Sequence, residues 1–207
     1  MKFINSKLLI FCKAPIPGTT KTRLLSVLSE KQAAELHIKL ATDTINQAIR
    51  SQLCSIEIWC SPDTDNPFFQ TFEVDLKQQH GVDLGERMYY AFQTTLAQYS
   101  SVIIIGTDSP SMTINDFDQA FTKLEEGNDV VIAPAEDGGY TLIGMKKEVW
   151  PIFKNIDWGS SRVFDQTISE VNKLNLQWHK LPMQWDVDRP EDLQRYNNGL
   201  DRNSLAQ

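Results

Sequence analysis

Residues 102–110 read Val-Ile-Ile-Ile-Gly-Thr-Asp-Ser-Pro, and this stretch decides the fold class. Four consecutive apolar residues closed by a glycine and a proline are typical of a short strand that is buried on both faces. Asp108 follows the end of this strand, and Thr113 and Asp116 have the spacing of a helix cap. A buried strand, a polar turn and a helix in this order indicate an α/β unit.

The same order recurs along the chain. Further strands are predicted at residues 7–12, 54–60, 129–133, 140–145 and 176–181, and helices at residues 30–50, 86–99, 113–126, 160–174 and from Pro190 onward. We therefore predict an α/β protein, a three-layer α/β/α sandwich with a mainly parallel, mixed sheet. The length of 207 residues predicts one domain over residues 1–200, followed by a polar, frayed tail at residues 201–207.

Composition and charge exclude several classes of protein. Hydrophobic residues make up 41% and charged residues 23%, which are globular values and argue against disorder. The net charge of −7 argues against a nucleic-acid binder. The charge is uneven, because residues 1–29 hold five basic and no acidic side chains and the remainder sums to −12. The composition leaves the oligomeric state open.

The apolar runs and the cysteines indicate the cellular compartment of the protein. No run approaches the roughly 18–20 apolar residues that span a bilayer, so we expect no membrane contact. There are three cysteines, and Cys54 and Cys60 lie in one predicted strand, too far apart to pair. An odd cysteine count without a secretion signal predicts a cytoplasmic protein.

Ligands of open α/β sheets bind beyond the carboxyl ends of the strands, so the loop after the first strand is informative. Residues 13–23 carry Lys13, Lys21 and Arg23 together with Gly18. Cationic side chains and backbone N–H groups in such a loop suit phosphate groups. The loop has neither a Walker A sequence nor a G-x-G-x-x-G sequence. An ordinary exposed loop is the alternative interpretation.

Three aspartates are candidates for a metal site. Asp108 follows a buried strand, and Asp186 and Asp188 project to one face if the backbone between them is extended. Two like charges held close together are unfavourable unless a cation or solvent lies between them. Mg²⁺ commonly takes one or two carboxylates plus substrate phosphates, so we expect these three residues to bind metal, with Asp188 preferred over Asp186. A solvated loop before the last helix is the alternative.

The sequence Asp137-Gly138-Gly139-Tyr140 has two interpretations of equal weight. It is typical of a tight hairpin turn in which a glycine adopts a positive φ angle. Two adjacent glycines also allow a ligand to approach the backbone closely.

Three further residues have both a structural and a functional interpretation. Asp83 is placed to cap a helix, but Asp83 or Arg87 would also reach a ligand at the sheet edge. Trp158 would form an aromatic wall of the site or pack in the core. His37 lies within a predicted helix, and we interpret it as structural.

Six sequence blocks carry a resemblance to a known family. They are KAPIPGTTKTRL at residues 13–24, DLGERM at 83–88, GTDSP at 106–110, PAEDGGY at 134–140, WGS at 158–160 and DVDRPEDL at 186–193. In this order they resemble the radical-SAM/selenodomain-associated transferase family, which is glycosyltransferase-like. The resemblance covers about residues 7–193 and implies the GT-A (nucleotide-diphospho-sugar transferase) fold. The family is more distantly similar to phospholactate and molybdenum-cofactor guanylyltransferases.

The resemblance also implies roles for particular residues. It places Lys21 and Arg23 near nucleotide phosphates, Asp108 and Asp188 on a divalent cation, and the Gly138–Gly139 region toward the acceptor or sugar. Arg189 departs from the pattern, because relatives often carry Thr there as a cap before the proline. This departure weakens the start of the last helix and puts a cation beside the metal carboxylates.

The resulting hypothesis is a transferase that needs Mg²⁺ or Mn²⁺ and moves a sugar from a nucleotide-diphospho-sugar to a small-molecule acceptor. The expected nucleotide-binding residues are Lys13, Gly18, Lys21, Arg23, Asp83, Arg87 and Asp108. The expected acceptor or sugar residues are Gly138, Gly139, Tyr140 and Trp158. The expected catalytic residues are Asp108, Lys21 and Asp137, the last as a general base.

Three alternatives remain open. The first is nucleotidyl transfer, in which an acceptor phosphate attacks an NTP and releases pyrophosphate. The second is a non-catalytic sensor of nucleotide-sugars, and the third is a metal-dependent phosphohydrolase.

Overall fold

The structure is a computed structural model, which describes the backbone of residues 1–204 and the side chains of residues 1–199. The strands are β1 (Ser6–Lys13), β2 (Ser55–Ser61), β3 (Asp75–Gln78), β4 (Ser101–Ile105), β5 (Val130–Pro134), β6 (Tyr140–Met145) and β7 (Trp178–Lys180). The α-helices are α1 (Glu30–Ser51), α2 (Leu84–Leu96), α3 (Ile114–Glu125), α4 (Val163–Lys173) and α5 (Pro190–Ser204).

The seven strands form one sheet in the order β3-β2-β1-β4-β6-β5-β7. Strand β1 lies at its centre and pairs in parallel with β2 and β4. Strand β6 runs antiparallel to both of its neighbours, β4 and β5. The sheet is therefore mixed and mainly parallel, which confirms the predicted fold class.

Apolar side chains cover both faces of the sheet. Leu8 and Leu9 are adjacent in β1 and both are buried, but they belong to different apolar clusters because successive strand residues point to opposite faces. Helices α1 and α3 pack on the face of Leu8, and α2 and α4 on the face of Leu9. The three predicted layers result from this arrangement.

The helix caps agree with the sequence. The Asp83 side chain accepts a hydrogen bond from the Glu86 N–H at 2.8 Å and so caps α2. At the start of α3, Asp116 Oδ2 accepts from the Thr113 N–H at 2.7 Å. Helix α5 begins at Pro190 as predicted, although Thr is absent at position 189. The Asp192 carboxylate instead accepts from the N–H groups of residues 188 and 189, at 3.2 and 2.8 Å.

Two differences from the sequence analysis concern the ends of the fold. Strand β3 was not predicted, because it is a polar, largely exposed edge strand without an apolar run. The predicted frayed tail covers residues 201–207; the backbone of residues 201–204 belongs to α5, and residues 205–207 lie outside the described part of the chain.

None of the helices described here has the length and apolar character needed to cross a membrane. The three cysteines are buried and free, and Cys54 and Cys60 are unpaired as predicted.

Candidate functional site

The carboxyl ends of β1 and β4 lie side by side, and a returning segment joins them. Residues 184–188 approach the sheet edge from β5, where the Gln184 N–H donates to the Pro134 carbonyl at 2.8 Å. Further along this segment, the Val187 N–H donates to the Asp108 carbonyl at 2.9 Å. These bonds place Asp186 and Asp188 beside Asp108, although they are far apart in the sequence.

Lys21 lies beneath this junction rather than on its surface. Its backbone is left-handed, with φ 51°, and its side chain is 3% exposed. The Nζ atom lies 2.7 Å from Asp108 Oδ1, in an ion pair that lacks the alignment of a good hydrogen bond. Nζ also donates to the Val187 carbonyl at 2.7 Å. Lys21 thus connects the first loop to the other two segments, and its ammonium group is already engaged.

His37 contacts Asp108, which was not predicted from the sequence. Its buried ring lies with Nε2 2.9 Å from the Lys13 carbonyl oxygen and Nδ1 3.7 Å from Asp108 Oδ1. The Asp108 side chain is 47% exposed as a whole, but its Oδ1 atom is buried. This burial raises the pKa of Asp108, but Lys21 and His37 outweigh the effect and hold that pKa below its ordinary value. Asp108 is therefore ionised at neutral pH. Nothing in the sequence around His37 reveals which face of α1 reaches Asp108.

The exposed cations of the first loop are Lys13 and Arg23. The Arg23 side chain is 54% exposed, and its Nη1 atom forms an ion pair with the Asp188 carboxylate. Lys13 stands exposed at the end of β1 and forms no ion pair with any residue that the structure describes. No acidic residue lies near Lys21 or Arg23 in the sequence, but in the structure both form ion pairs, with Asp108 and Asp188 from distant segments. Lys13 and Arg23 remain accessible to an incoming anion.

Asp186 has an unusual electrostatic environment. Burial, followed by the nearby carboxylates of Asp137, Asp108 and Asp188, raises the pKa of Asp186 to about 7. No ion pair to Asp186 occurs among the side chains of residues 1–199. In this part of the chain, no group of three or more His, Cys, Asp or Glu side chains is arranged to hold a metal ion by itself. A cation here would need oxygen atoms from a substrate to complete its coordination.

A cleft of about 240 Å³ opens next to these carboxylates. It lies between the carboxyl edge of the sheet, the start of α2 and residues 158–163. The residues that line it include Asp137, Asp186, Gly139, Tyr140 and Trp158. The structure thus brings together three of the four residues predicted for acceptor or sugar binding.

Gly138 is the exception, because it supports the wall without lining the cleft. Its φ is +91°, and a Cβ atom built on it would lie 2.2 Å from the Ser161 carbonyl oxygen. The turn is thus a tight hairpin turn with a positive φ, as one of the two sequence interpretations required. Next to it, the Gly139 N–H donates to Asp137 Oδ1 at 2.9 Å, which fixes the Asp137 carboxylate at the rim.

Trp158 forms one side of the cleft. Its ring meets that of Tyr140 edge to face, with centroids 6.3 Å apart and an interplanar angle of 81°. The ring also lies against Gly85 of α2, where a Cβ atom would approach it to 2.8 Å. Absence of a side chain at position 85 therefore lets the indole pack directly on the helix.

Three predicted nucleotide-binding residues have local structural partners. Asp83 caps α2, and Arg87 Nε donates to the Gly81 carbonyl at 3.1 Å. Gly18 adopts φ +81° in the turn that the hydrogen bond from the Thr19 N–H to the Ile16 carbonyl closes, and it lies close to the Glu30 carboxylate. Their roles in nucleotide binding stay predictions.

Comparison with solved structures identifies the class of fold. A crystal structure from Desulfovibrio desulfuricans G20, of a protein proposed to be a nucleotide-diphospho-sugar transferase, is 33% identical in sequence. The match covers 92% of this chain and 85% of that one, with a TM-score of 0.86. The fold is therefore that of the nucleotide-diphospho-sugar transferases.

The particular family follows from its sequence model. The model of DUF2064, described as an uncharacterized protein family conserved in bacteria, matches residues 44–160. This is more than half of the chain, which therefore belongs to that family. Comparison with curated protein sequences finds no match.

Two more distant structures share the fold alone. The CMP:2-keto-3-deoxy-manno-octonic acid synthetase complexed with CTP is 7% identical, with a TM-score of 0.65 over 96% of this chain and 99% of that one. The 4-diphosphocytidyl-2C-methyl-D-erythritol synthase from Anaerococcus prevotii DSM 20548 is 10% identical, with a TM-score of 0.62 and the same coverage.

Proposed function

We propose that the protein is a metal-dependent transferase that takes a sugar from a nucleotide-diphospho-sugar and attaches it to a small-molecule acceptor. One observation carries the proposal: accessible cations and a group of carboxylates converge on one sheet edge, beside a cleft. The 33% identical protein, itself proposed to be a nucleotide-diphospho-sugar transferase, supports it. So does the resemblance to the radical-SAM/selenodomain-associated transferases.

The diphosphate would bind at the first loop. Lys13 and Arg23 are exposed there, and the attraction of Arg23 to a doubly charged phosphate would compete with its ion pair to Asp188. Lys21, which is buried, would act mainly by holding Asp108 in place. Charge that develops on the departing nucleotide diphosphate would be stabilised by these preorganised cations.

The chemistry of the donor set fits Mg²⁺ or Mn²⁺, because the carboxylates supply the oxygen ligands that these cations prefer. Asp186 comes first in this proposal, ahead of Asp188, because it forms no ion pair within the described residues while Asp188 pairs with Arg23. Asp108 and Asp188 would join it as their own cationic partners turn toward the phosphates. A divalent cation held there would offset the negative charge of the diphosphate leaving group.

Asp137 is the proposed general base at the rim of the cleft. It would accept the proton of an acceptor hydroxyl while that oxygen forms a bond to the anomeric carbon. The bond from the anomeric carbon to the phosphate oxygen breaks, and its electron pair leaves with the nucleoside diphosphate. The Gly139 N–H holds the carboxylate in position for this transfer.

We also propose a cytoplasmic location, which the three free, buried cysteines support. Such thiols persist in a reducing compartment.

Product analysis tests the transferase proposal. The protein is incubated with a panel of nucleotide-sugars, NTPs and hydroxyl acceptors, with Mg²⁺, with Mn²⁺ or with EDTA. We expect nucleoside diphosphate and a glycosylated acceptor only when metal is present. We expect Asp137→Asn to lose turnover and the exposed edge-strand variant Asp75→Asn to keep it.

Other products would contradict the proposal in different ways. Pyrophosphate from an unmodified NTP would indicate nucleotidyl transfer, and hydrolysis without an acceptor would indicate a phosphohydrolase. Tight nucleotide-sugar binding without any product would indicate a sensor.

A further inference from the structure

The cleft beside Asp137 has an apolar interior. Its walls come from the sheet, α2 and the segment that leads into α4. Most of the side chains that line it are apolar or aromatic, among them Phe11, Met88, Ile104, Leu142, Tyr140 and Trp158. Among the described residues that line the cleft, none is Lys or Arg. The cleft is therefore unsuited to phosphate groups, which the cations outside it would attract.

Its volume restricts the size of an occupant. An engineered apolar cavity of about 150 Å³ binds benzene, and pockets for drug-sized ligands begin at about 300 Å³. The volume of about 240 Å³ lies between these values. One ring, or two fused rings, would fill it.

The side chains with polar groups that line the cleft are Asp137, Asp186, Thr141, Ser160 and Tyr140. Thr141 Oγ1 is buried and has no hydrogen-bond partner among the described atoms, although Thr141 lines the cleft. A buried hydroxyl without a partner is destabilising, and a ligand that supplies a partner removes this cost. The carboxylates of Asp137 and Asp186 lie at the rim. A nucleobase, with several donors and acceptors, would leave most of them unpaired inside such walls.

The mouth of the cleft extends the apolar surface outward. Leu84 lines the cleft and is 45% exposed, and nearby Val82 is 86% exposed. An apolar substituent on a ring could therefore pack against Leu84 where the cleft opens to solvent.

We propose that this cleft binds the acceptor, and that the acceptor is built on an apolar ring of one or two fused cycles. Its buried end carries a group that hydrogen-bonds to Thr141, and its reactive hydroxyl lies at Asp137. The identification of the occupant as the acceptor rests on the proposed function. The presence of a ring-binding site does not.

Ligand binding without nucleotide tests the site. Isothermal titration and saturation-transfer NMR measure the binding of 2-naphthol, with myo-inositol as a polar ring for comparison. We expect 2-naphthol to bind and myo-inositol not to bind. Thr141→Val should weaken 2-naphthol binding about 5- to 10-fold, the effect of one hydrogen bond, while leaving the melting temperature equal or higher.

Val163→Phe, which fills the cleft, should abolish 2-naphthol binding. Thr141→Val keeps the test valid if this larger side chain prevents folding. The idea is overturned if 2-naphthol fails to bind, if myo-inositol binds equally well, or if Thr141→Val leaves the affinity unchanged.

A separate titration with the nucleotide-sugar panel and Mg²⁺ distinguishes the two proposals. If 2-naphthol binds and no nucleotide-sugar does, the cleft stands and the transferase proposal fails. If only nucleotide-sugars bind, the transferase proposal stands and the ring site fails.

Discussion

Replacement of Lys21 by methionine removes the ammonium group but keeps most of the side-chain volume. The structure places this group 2.7 Å from both Asp108 Oδ1 and the Val187 carbonyl oxygen, with the side chain 3% exposed. Lys21→Met would leave the Asp108 carboxylate without its closest cation and the carbonyl without its donor. We expect a substantial loss of stability, because both groups approach Lys21 from other segments.

The magnitude follows from the exposure of the two partners. Removal of one member of a buried ion pair costs about 3–5 kcal/mol. The Asp108 side chain is 47% exposed, so water would solvate its charge, and we expect about 2–3 kcal/mol. For a chain of this size each kcal/mol shifts the melting temperature by about 2–4 °C. The expected decrease is therefore about 4–12 °C.

Urea denaturation of four proteins measures this effect: wild type, Lys21→Met, Asp108→Asn and the double variant. The double variant should show a coupling energy of about 1–2 kcal/mol, since the second substitution removes the charge that the first leaves unpaired. Lys31→Met is the control, because Lys31 is 83% exposed and should cost less than about 0.5 kcal/mol. A loss below about 1 kcal/mol without coupling would refute the buried pair and return Lys21 to the role of a free phosphate ligand.

Three further predictions concern other parts of the molecule. Gly138→Ala should lower the free energy of unfolding in urea by at least about 2 kcal/mol more than Gly159→Ala does. Both glycines have positive φ, but only a Cβ atom at Gly138 would meet the main chain, at 2.2 Å. Equal losses of stability in the two variants would contradict the tight turn. Burial and neighbouring carboxylates raise the pKa of Asp186 to about 7, above its unfolded value. Its contribution is therefore present at low pH and lost as pH rises, so stability in EDTA should fall between about pH 4 and 7, and Asp186→Asn should flatten this slope; an unchanged slope would contradict the assignment. Burial raises the pKa of Cys54 and of Cys60 to about 12. Neither thiol should react with a disulfide reagent at pH 8 until urea unfolds the protein, and rapid reaction of the native state would contradict their burial.

The fold could be predicted from the sequence because its central strands are continuous apolar runs that end at clear turn residues. Residues 102–105 are apolar on both faces, and the residues after them break the strand, so the α/β pattern is local. Strand β3 escaped prediction because it is polar and lies at the edge of the sheet, where burial imposes no pattern. The order of the strands also depends on tertiary packing, which no local pattern contains.

The sequence predicted which residues belong to the candidate site, but it did not predict the ion pairs between them. Lys21, Arg23, Asp108 and Asp188 were identified as site residues, but no acidic residue is close to the two cations in the chain, so their partners could not be predicted. Their ion pairs depend on residues 184–188 returning to the sheet edge, which is a long-range event. The contact of His37 with Asp108 depends on the rotation of α1 and is equally non-local.

The most direct test of the central claim is a calorimetric titration of wild type and Asp186→Asn with nucleotide-diphospho-sugars, in Mg²⁺ and in EDTA. We expect at least one of these ligands to bind wild type in Mg²⁺ and to bind at least tenfold more weakly in EDTA. We expect a similar loss of affinity for Asp186→Asn in Mg²⁺, and no loss for Asp75→Asn. Binding that is equally strong with and without metal, or equally strong in Asp186→Asn, would contradict the claim that this group of carboxylates holds a metal-bound nucleotide-sugar.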